Sequence, residues 1–209
     1  MSLIRAVFLD RDGTLIHDPG YLADPEGVRL FDGVGDALRA LAQAGFALVV
    51  CTNQSGIARG RYDEAAYRRV ERRLDDLLAA EGVTLRATYF CPFHPEGTVP
   101  AYARDHEDRK PAPGMWMRAA SDLGLDLAAS YSIGDGERDA VAGRRAGTTA
   151  VLLAAGRDKW PLPLGGPWDA DFVGRDIREA VLWILRREGR PLPPRPGAPL
   201  SRPRDGAAR

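Results

Sequence analysis

Along most of the chain, short apolar runs alternate with stretches of helical period. Residues 4–9, 46–51 (FALVVC) and 87–91 (ATYFC) are nearly unbroken apolar runs. Such runs are what strands covered on both faces require. Residues 34–44 (VGDALRALAQA) put Val34, Leu38 and Leu41 on one helical face, and Gly45 stops them. Asp63 is a helix N-cap candidate, followed by Ala66, Val70, Leu74, Leu77 and Leu78 on one stripe. Arg68, Arg69, Arg72 and Arg73 are interleaved there with Glu64, Glu71, Asp75 and Asp76. That mixture predicts a salt-laced solvated face rather than a basic binding patch. Helices over 114–123, 137–146 and 176–187 and strands over 130–133, 150–153 and 171–173 complete the pattern. Strand–helix alternation of this kind predicts an α/β fold, a doubly wound parallel sheet with helices on both faces.

Two stretches stand outside the pattern. Residues 92–113 are a loop rich in Pro, Gly and charge, and Trp160 and Trp168 lie in a second such loop, where packing is the expected role. From Gly189 onward Pro, Arg and Gly dominate with no apolar period. The expected organisation is one folded domain over 1–188 and a disordered tail over 189–209.

Composition narrows the function. The chain has 209 residues, enough for a real core, and 29 basic residues balance 29 acidic ones. That balance argues against nucleic-acid or membrane-surface partners. Two cysteines, Cys51 and Cys91, make no disulfide framework, and no signal or spanning run is visible, so a cytoplasmic setting is expected.

The chemistry collects at the strand ends. After the first strand come Asp10 and Asp12 with Gly13 and Thr14; after the second, Thr52, Asn53, Gln54 and Ser55. Arg109 and Lys110 precede the 114–123 helix, and Gly134-Asp135, with Asp139 behind, follows the fourth strand. Open α/β sheets bind ligands beyond the carboxyl ends of their strands. Gathered acids repel one another unless a cation joins them, and an all-oxygen set suits Mg²⁺ completed by a substrate phosphate. Hydroxyl, amide and lysine donors match the phosphoryl oxygens of a transition state. One carboxylate can attack phosphorus while its neighbour moves the proton.

The stretches "DRDGTLIHDPGYL", "FALVVCTNQSGIARG", "RKPAPGM" and "AASYSIGDGERDA", in that order, resemble the haloacid dehalogenase (HAD) superfamily of aspartate-nucleophile phosphatases. Within it they are most similar to the D-glycero-D-manno-heptose 1,7-bisphosphate phosphatases, with the histidinol-phosphate phosphatases as near relatives. The resemblance spans residues 4–187. It implies a Rossmann-like sheet without a large cap domain and Mg²⁺-dependent hydrolysis of a phosphorylated sugar, the C7 phosphate of the heptose bisphosphate, in nucleotide-heptose synthesis. It further implies Asp10 as nucleophile, Asp12 as general acid/base, and Thr52 and Lys110 as holders of the phosphoryl group. The Mg²⁺ ligands would be the Asp10 carboxylate, the Asp12 backbone carbonyl and Asp135, with Asp139 in support. Asp18, Pro19, Gly20, Tyr21, residues 52–55 and Arg109 would recognise the rest of the substrate. A monomer is expected. Histidinol-phosphate hydrolysis and non-catalytic sugar-phosphate binding remain the alternatives. A phospho-accepting receiver domain is disfavoured, because no Asp follows the third strand.

This sequence departs from the family in two places. The family often binds zinc through Cys-x-His and a later Cys-x-Cys; here Phe93 takes the first His position, and His106 and Asp108 replace the two cysteines. A rebuilt site would use Cys91, His94, His106 and Asp108, but losing both late thiolates favours a loop without zinc. Gly136 stands where the family commonly has a substrate-touching lysine.

Overall fold

The computed structural model describes residues 3–154 and 170–192. Six strands form its sheet: β1 (Ala6–Leu9), β2 (Ala47–Asn53), β3 (Ala87–Cys91), β4 (Tyr131–Gly134), β5 (Thr149–Leu153) and β6 (Phe172–Gly174). They lie in the order β3-β2-β1-β4-β5-β6, every pair parallel. The chain steps outward from β1 through β2 to β3, then returns to the other side of β1 for β4. The winding therefore reverses between β1 and β4, and the loops leaving these strands part to open a crevice at the sheet's carboxyl edge.

Successive side chains of a strand point to opposite faces, and β1 shows why its sequence must be AVFL. Val7 and Leu9 join the core under α1 (Val34–Gln43), α3 (Glu64–Ala80) and α6 (Ile177–Arg187). Ala6 and Phe8 join the core under α4 (Gly114–Leu123) and α5 (Glu137–Ala146). All four are fully buried. Phe8 lies 5.9 Å from the Trp116 ring, and truncating so enclosed an aromatic costs about 3–5 kcal/mol.

Local signals act as the pattern suggests. Asp63 caps α3 by accepting the Ala66 N–H at 2.8 Å, and Asp176 caps α6 through the Glu179 N–H at 2.9 Å. Gly45, at φ 90°, turns the chain after α1. Arg68 pairs with Glu71 at 2.7 Å on the salt-laced face of α3.

The boundaries differ where tertiary partners intervene. Ile4 makes an isolated bridge to Leu125 instead of extending β1. β2 runs past residue 51, because Thr52 and Asn53 still pair with Phe90 and Cys91. The four-residue helix α2 (Ser55–Ala58) and a 3₁₀ turn (Pro25–Gly27) are additional to the elements expected from the sequence. Among the described residues there is no cap domain, and no helix is long and apolar enough to cross a membrane. Trp160, Trp168 and the tail from residue 193 lie outside the described residues.

Candidate active site

Asp10 is the first residue beyond β1, and its N–H donates to the Ile133 carbonyl at 2.9 Å, which pins it between β1 and β4. Beneath it lies the Lys110 ammonium, 2.7 Å from Asp10 Oδ1 and 2.6 Å from Asp139 Oδ1, donating also to the Cys51 carbonyl at 2.9 Å. These three partners use all three ammonium hydrogens. Burial opposes the charge of Lys110, but Asp10 and Asp139 outweigh it and push its pKa up to about 12. The lysine's main chain is held as tightly. Asn53 Oδ1 accepts the Lys110 N–H, and Asn53 Nδ2 donates to the Lys110 carbonyl, both at 3.1 Å. That clamp explains why a polar residue closes β2.

One carboxylate oxygen each from Asp10, Asp135 and Asp139 lies within 4.8 Å of the others. Two glycines permit this crowding. A Cβ on Gly13, whose φ is +80°, would sit 2.5 Å from Asp135 Oδ2, and one on Gly134 would sit 2.3 Å from the Asp139 Cβ. Asp139 accepts the Gly136 N–H through Oδ2 at 2.9 Å at the start of α5 and meets Lys110 through Oδ1. Burial raises its pKa, the charge of Asp10 adds to the rise, and Lys110 restrains it. A buried, all-oxygen, multiply anionic set beside a small opening is the donor chemistry of Mg²⁺. The Asp12 carboxylate is not in this group.

Asp12 faces a different network. Arg11 donates to its Oδ1 through Nε at 3.1 Å and to both its oxygens through Nη2 at 2.9 Å. Gln54 Nε2 donates to Asp12 Oδ2 and to Thr52 Oγ1, both at 2.8 Å. Gln54 Oε1 in turn accepts from Tyr62 at 2.6 Å and from Arg11 at 3.1 Å. Burial raises the Asp12 pKa above the ordinary carboxylate value; Arg11 opposes the rise and the charge of Asp10 adds to it. A carboxyl raised in this way holds its proton more readily than an ordinary aspartate, as a group that gives a proton to a leaving oxygen must.

Asp10, Arg11 and Asp12 share one cleft with Asp18, Gly20, Tyr21, Thr52, Asn53, Gln54, Ser55, Tyr62, Arg109 and Arg138. Thr52 accepts from Gln54, so its own hydroxyl hydrogen is available to a ligand. Asp18 Oδ1 takes the Gly20 N–H at 2.8 Å, and Tyr21 is held at φ 55°, a costly conformation for a bulky residue that turns a phenol over the opening. The half-buried Arg109 donates to the Phe93 carbonyl at 3.3 Å; burial lowers its pKa, and the charges of Arg138 and Arg59 add to the fall. Three residues expected from the sequence do not line the cleft: Pro19 is exposed, Lys110 is buried against Asp10, and Asp135 lies beside it in the acid cluster.

The 91–108 loop is closed by stacking. The His106 ring is stacked on that of Phe93, 4.3 Å between centroids and 18° from parallel, and the Arg104 guanidinium covers Phe93 at 4.1 Å. Each of the four residues weighed as zinc ligands has another partner. Cys91 Sγ lies 3.9 Å from the Phe93 carbonyl, and burial pushes its thiol up to about 11. His94 meets Arg59 and the Glu96 N–H, both at 3.0 Å. His106 Nδ1 accepts the Asp108 N–H at 3.1 Å, and Asp108 pairs with Arg118 at 2.6 Å.

Sequence reasoning overlooked Arg11, Tyr62 and Arg138. Arg138 carried a signal, since a cation in the first turn of a helix opposes the macrodipole. Arg11 and Tyr62 carried none, because their importance arises from contacts with distant segments.

An acid pair just beyond the first strand of a switch-point crevice, backed by a buried lysine from the loop before α4, marks a phosphatase of the HAD type. A family model described as HAD-hydrolase-like matches residues 108–180. The chain is 44% identical over 185 residues to a D-glycero-beta-D-manno-heptose-1,7-bisphosphate 7-phosphatase of Yersinia pestis, covering 88% of this chain and 97% of the relative. It is 41% identical over 154 residues to the corresponding alpha-heptose enzyme of Burkholderia mallei, covering 74% and 82%. The structure of D,D-heptose 1,7-bisphosphate phosphatase from B. bronchiseptica, complexed with magnesium and phosphate, matches with a TM-score of 0.76 at 30% identity, covering 88% of this chain and 99% of that one. The chain belongs to the heptose-1,7-bisphosphate 7-phosphatase family of the HAD superfamily, and it is a phosphoric monoester hydrolase.

Proposed function

We propose that this protein hydrolyses the C7 phosphate of D-glycero-D-manno-heptose 1,7-bisphosphate through a phospho-Asp10 intermediate, as a Mg²⁺-dependent cytoplasmic monomer serving nucleotide-heptose synthesis. The observation that carries the reading is the separation of Asp10 and Asp12 into two environments within one cleft. Asp10 is fixed by a lysine, and Asp12 is held by Arg11 and Gln54, with burial raising its pKa against their pull.

In the first step an Asp10 oxygen attacks phosphorus, the bond from phosphorus to the C7 oxygen breaks, and Asp12 gives that oxygen its proton. In the second step Asp12 takes a proton from water, the water oxygen attacks phosphorus, and the bond to Asp10 breaks. The Thr52 hydroxyl donates to a phosphoryl oxygen. Lys110 fixes the Asp10 carboxylate and contributes positive charge from below, and contact with the phosphoryl group requires it to share one of its three hydrogens. Asp10, Asp135 and the Asp12 carbonyl suit Mg²⁺, since both Asp139 oxygens are committed to Lys110 and Gly136. Bound there, Mg²⁺ would neutralise phosphoryl charge. Arg109 and the loop from Asp18 to Tyr21 meet the sugar and its distal anion.

The experiment is a phosphate-release assay on the heptose bisphosphate, with Mg²⁺ titrated against a chelator. The expected result is one equivalent of phosphate per substrate, released only with Mg²⁺, and none from a folded Asp10→Asn variant, whose amide cannot attack phosphorus. Near-normal kcat in that variant would remove Asp10 as nucleophile.

A further inference from the structure

Arg11 is 1% exposed, although it stands between two residues that line an open cleft. Its guanidinium turns inward, 5.4 Å from the centroid of the buried Tyr67 ring, which is itself stacked on Phe90 at 4.3 Å. Asp12 is the carboxylate with which it forms an ion pair, through three hydrogen bonds. Its Nη1 is buried without a hydrogen-bond partner among the described residues. A well-packed apolar pair is commonly as stable as a buried ion pair or more so, and an orphaned donor adds a further cost. Core stability therefore does not account for an arginine here.

The contacts run in one direction. α3 and β3 supply the aromatic platform, the platform holds the guanidinium, and the planar fork fixes the Asp12 carboxylate in plane and azimuth. Gln54 closes the arrangement from the other side and is itself held by Tyr62 and Thr52. Left to itself, a carboxylate at a loop tip samples several rotamers, and proton transfer needs one of them.

We propose that Arg11 is a positioning residue that holds Asp12 toward the cleft for proton transfer, with Gln54 and Tyr62 as the outer half of the same brace. The inference rests on Asp12 being the general acid, so its test must separate the two claims. Leaving groups do so. An alkyl phosphate departs as an alkoxide that needs the proton, whereas p-nitrophenolate departs as a stable anion.

The measurement is single-turnover cleavage of both substrates by wild type, Arg11→Lys, Tyr62→Phe and Asp12→Asn, each with its melting temperature. Arg11→Lys keeps a charge but loses the fork. It is expected to slow the alkyl substrate by about 10²-fold, the lower end of what general acid catalysis contributes, and p-nitrophenolate release by less than about threefold. Tyr62→Phe, which removes no buried charge, is expected to show the same split at several-fold and keeps the test available if Arg11→Lys does not fold. Equal slowing of both substrates, or of neither, in the folded variants would overturn the role of Arg11 if Asp12→Asn still shows the split. If Asp12→Asn shows no split either, the assignment of Asp12 as general acid falls, and the inference with it.

Discussion

Replacing Lys110 by Met removes the cation in direct contact with two buried carboxylates, 2.7 and 2.6 Å from its ammonium. The lysine's pKa rises from its ordinary 10.5 to about 12, against the pull of burial, which at ~1.36 kcal/mol per pH unit is about 2 kcal/mol. Because the folded value is the higher one, this contribution is fully present below pH 10.5 and is lost only as pH rises through about 12. At pH 8 the variant forfeits all of it and keeps Asp10 and Asp139 facing each other without the lysine, so a total loss of about 3–5 kcal/mol is expected. Burial already raises the Asp139 pKa above its ordinary value, and in the variant Asp139 loses Lys110, the stronger of the two cations that restrain it, and keeps Arg138. A carboxyl with a raised folded pKa stabilises when protonated, so the deficit should shrink as pH falls toward 4. Urea denaturation of wild type and Lys110→Met at pH 8 and pH 5, without divalent metal, measures both effects. Adding Asp139→Asn should recover at least half of the loss at pH 8, as expected of residues in direct contact. A deficit under about 1 kcal/mol, or one independent of pH and of Asp139, would refute the reasoning from paired buried charges.

Two further predictions concern the periphery. Elemental analysis of protein purified without chelator or affinity-column metal should find no stoichiometric zinc, since the His106–Phe93–Arg104 stack already closes the loop and Asp108 is paired with Arg118; one zinc per chain, lost on Cys91→Ser, would contradict this. Truncation after Gly189 should leave kcat/KM within tenfold of wild type, because the residues beyond carry no periodic apolar face; a larger loss would give the tail a part in the site.

The sheet was legible because strands buried on both faces must be apolar at every position, so β1, β2 and β3 announce themselves as short runs. The acids were legible because the superfamily's motifs fall at strand ends in a fixed order. Thr52 and Asn53 look like loop residues, yet they belong to β2, since their polar side chains are satisfied by Gln54 and by the Lys110 main chain across the crevice. Arg11 could not be weighed from sequence, because its partners come from positions 12, 54 and 67. The 91–108 loop was read for metal ligands, while the fold used two of those residues otherwise: His106 as an aromatic surface and Asp108 as the partner of Arg118. Spacing reveals which donors are present but not which way their rings and carboxylates turn.

The central claim concerns which phosphoester is cut. A bisphosphorylated sugar presents a distal anion to a rim that carries Arg109 and Arg138, whereas histidinol phosphate presents a cationic amine and an imidazole to the same arginines. Parallel steady-state kinetics on heptose 1,7-bisphosphate and histidinol phosphate, with the cleaved position read by ³¹P NMR, tests this most directly. The expected result is loss of the C7 phosphate with kcat/KM at least about tenfold above that for histidinol phosphate, about 1.4 kcal/mol of transition-state binding. Cleavage at C1, or equal or reversed specificity, would contradict the account.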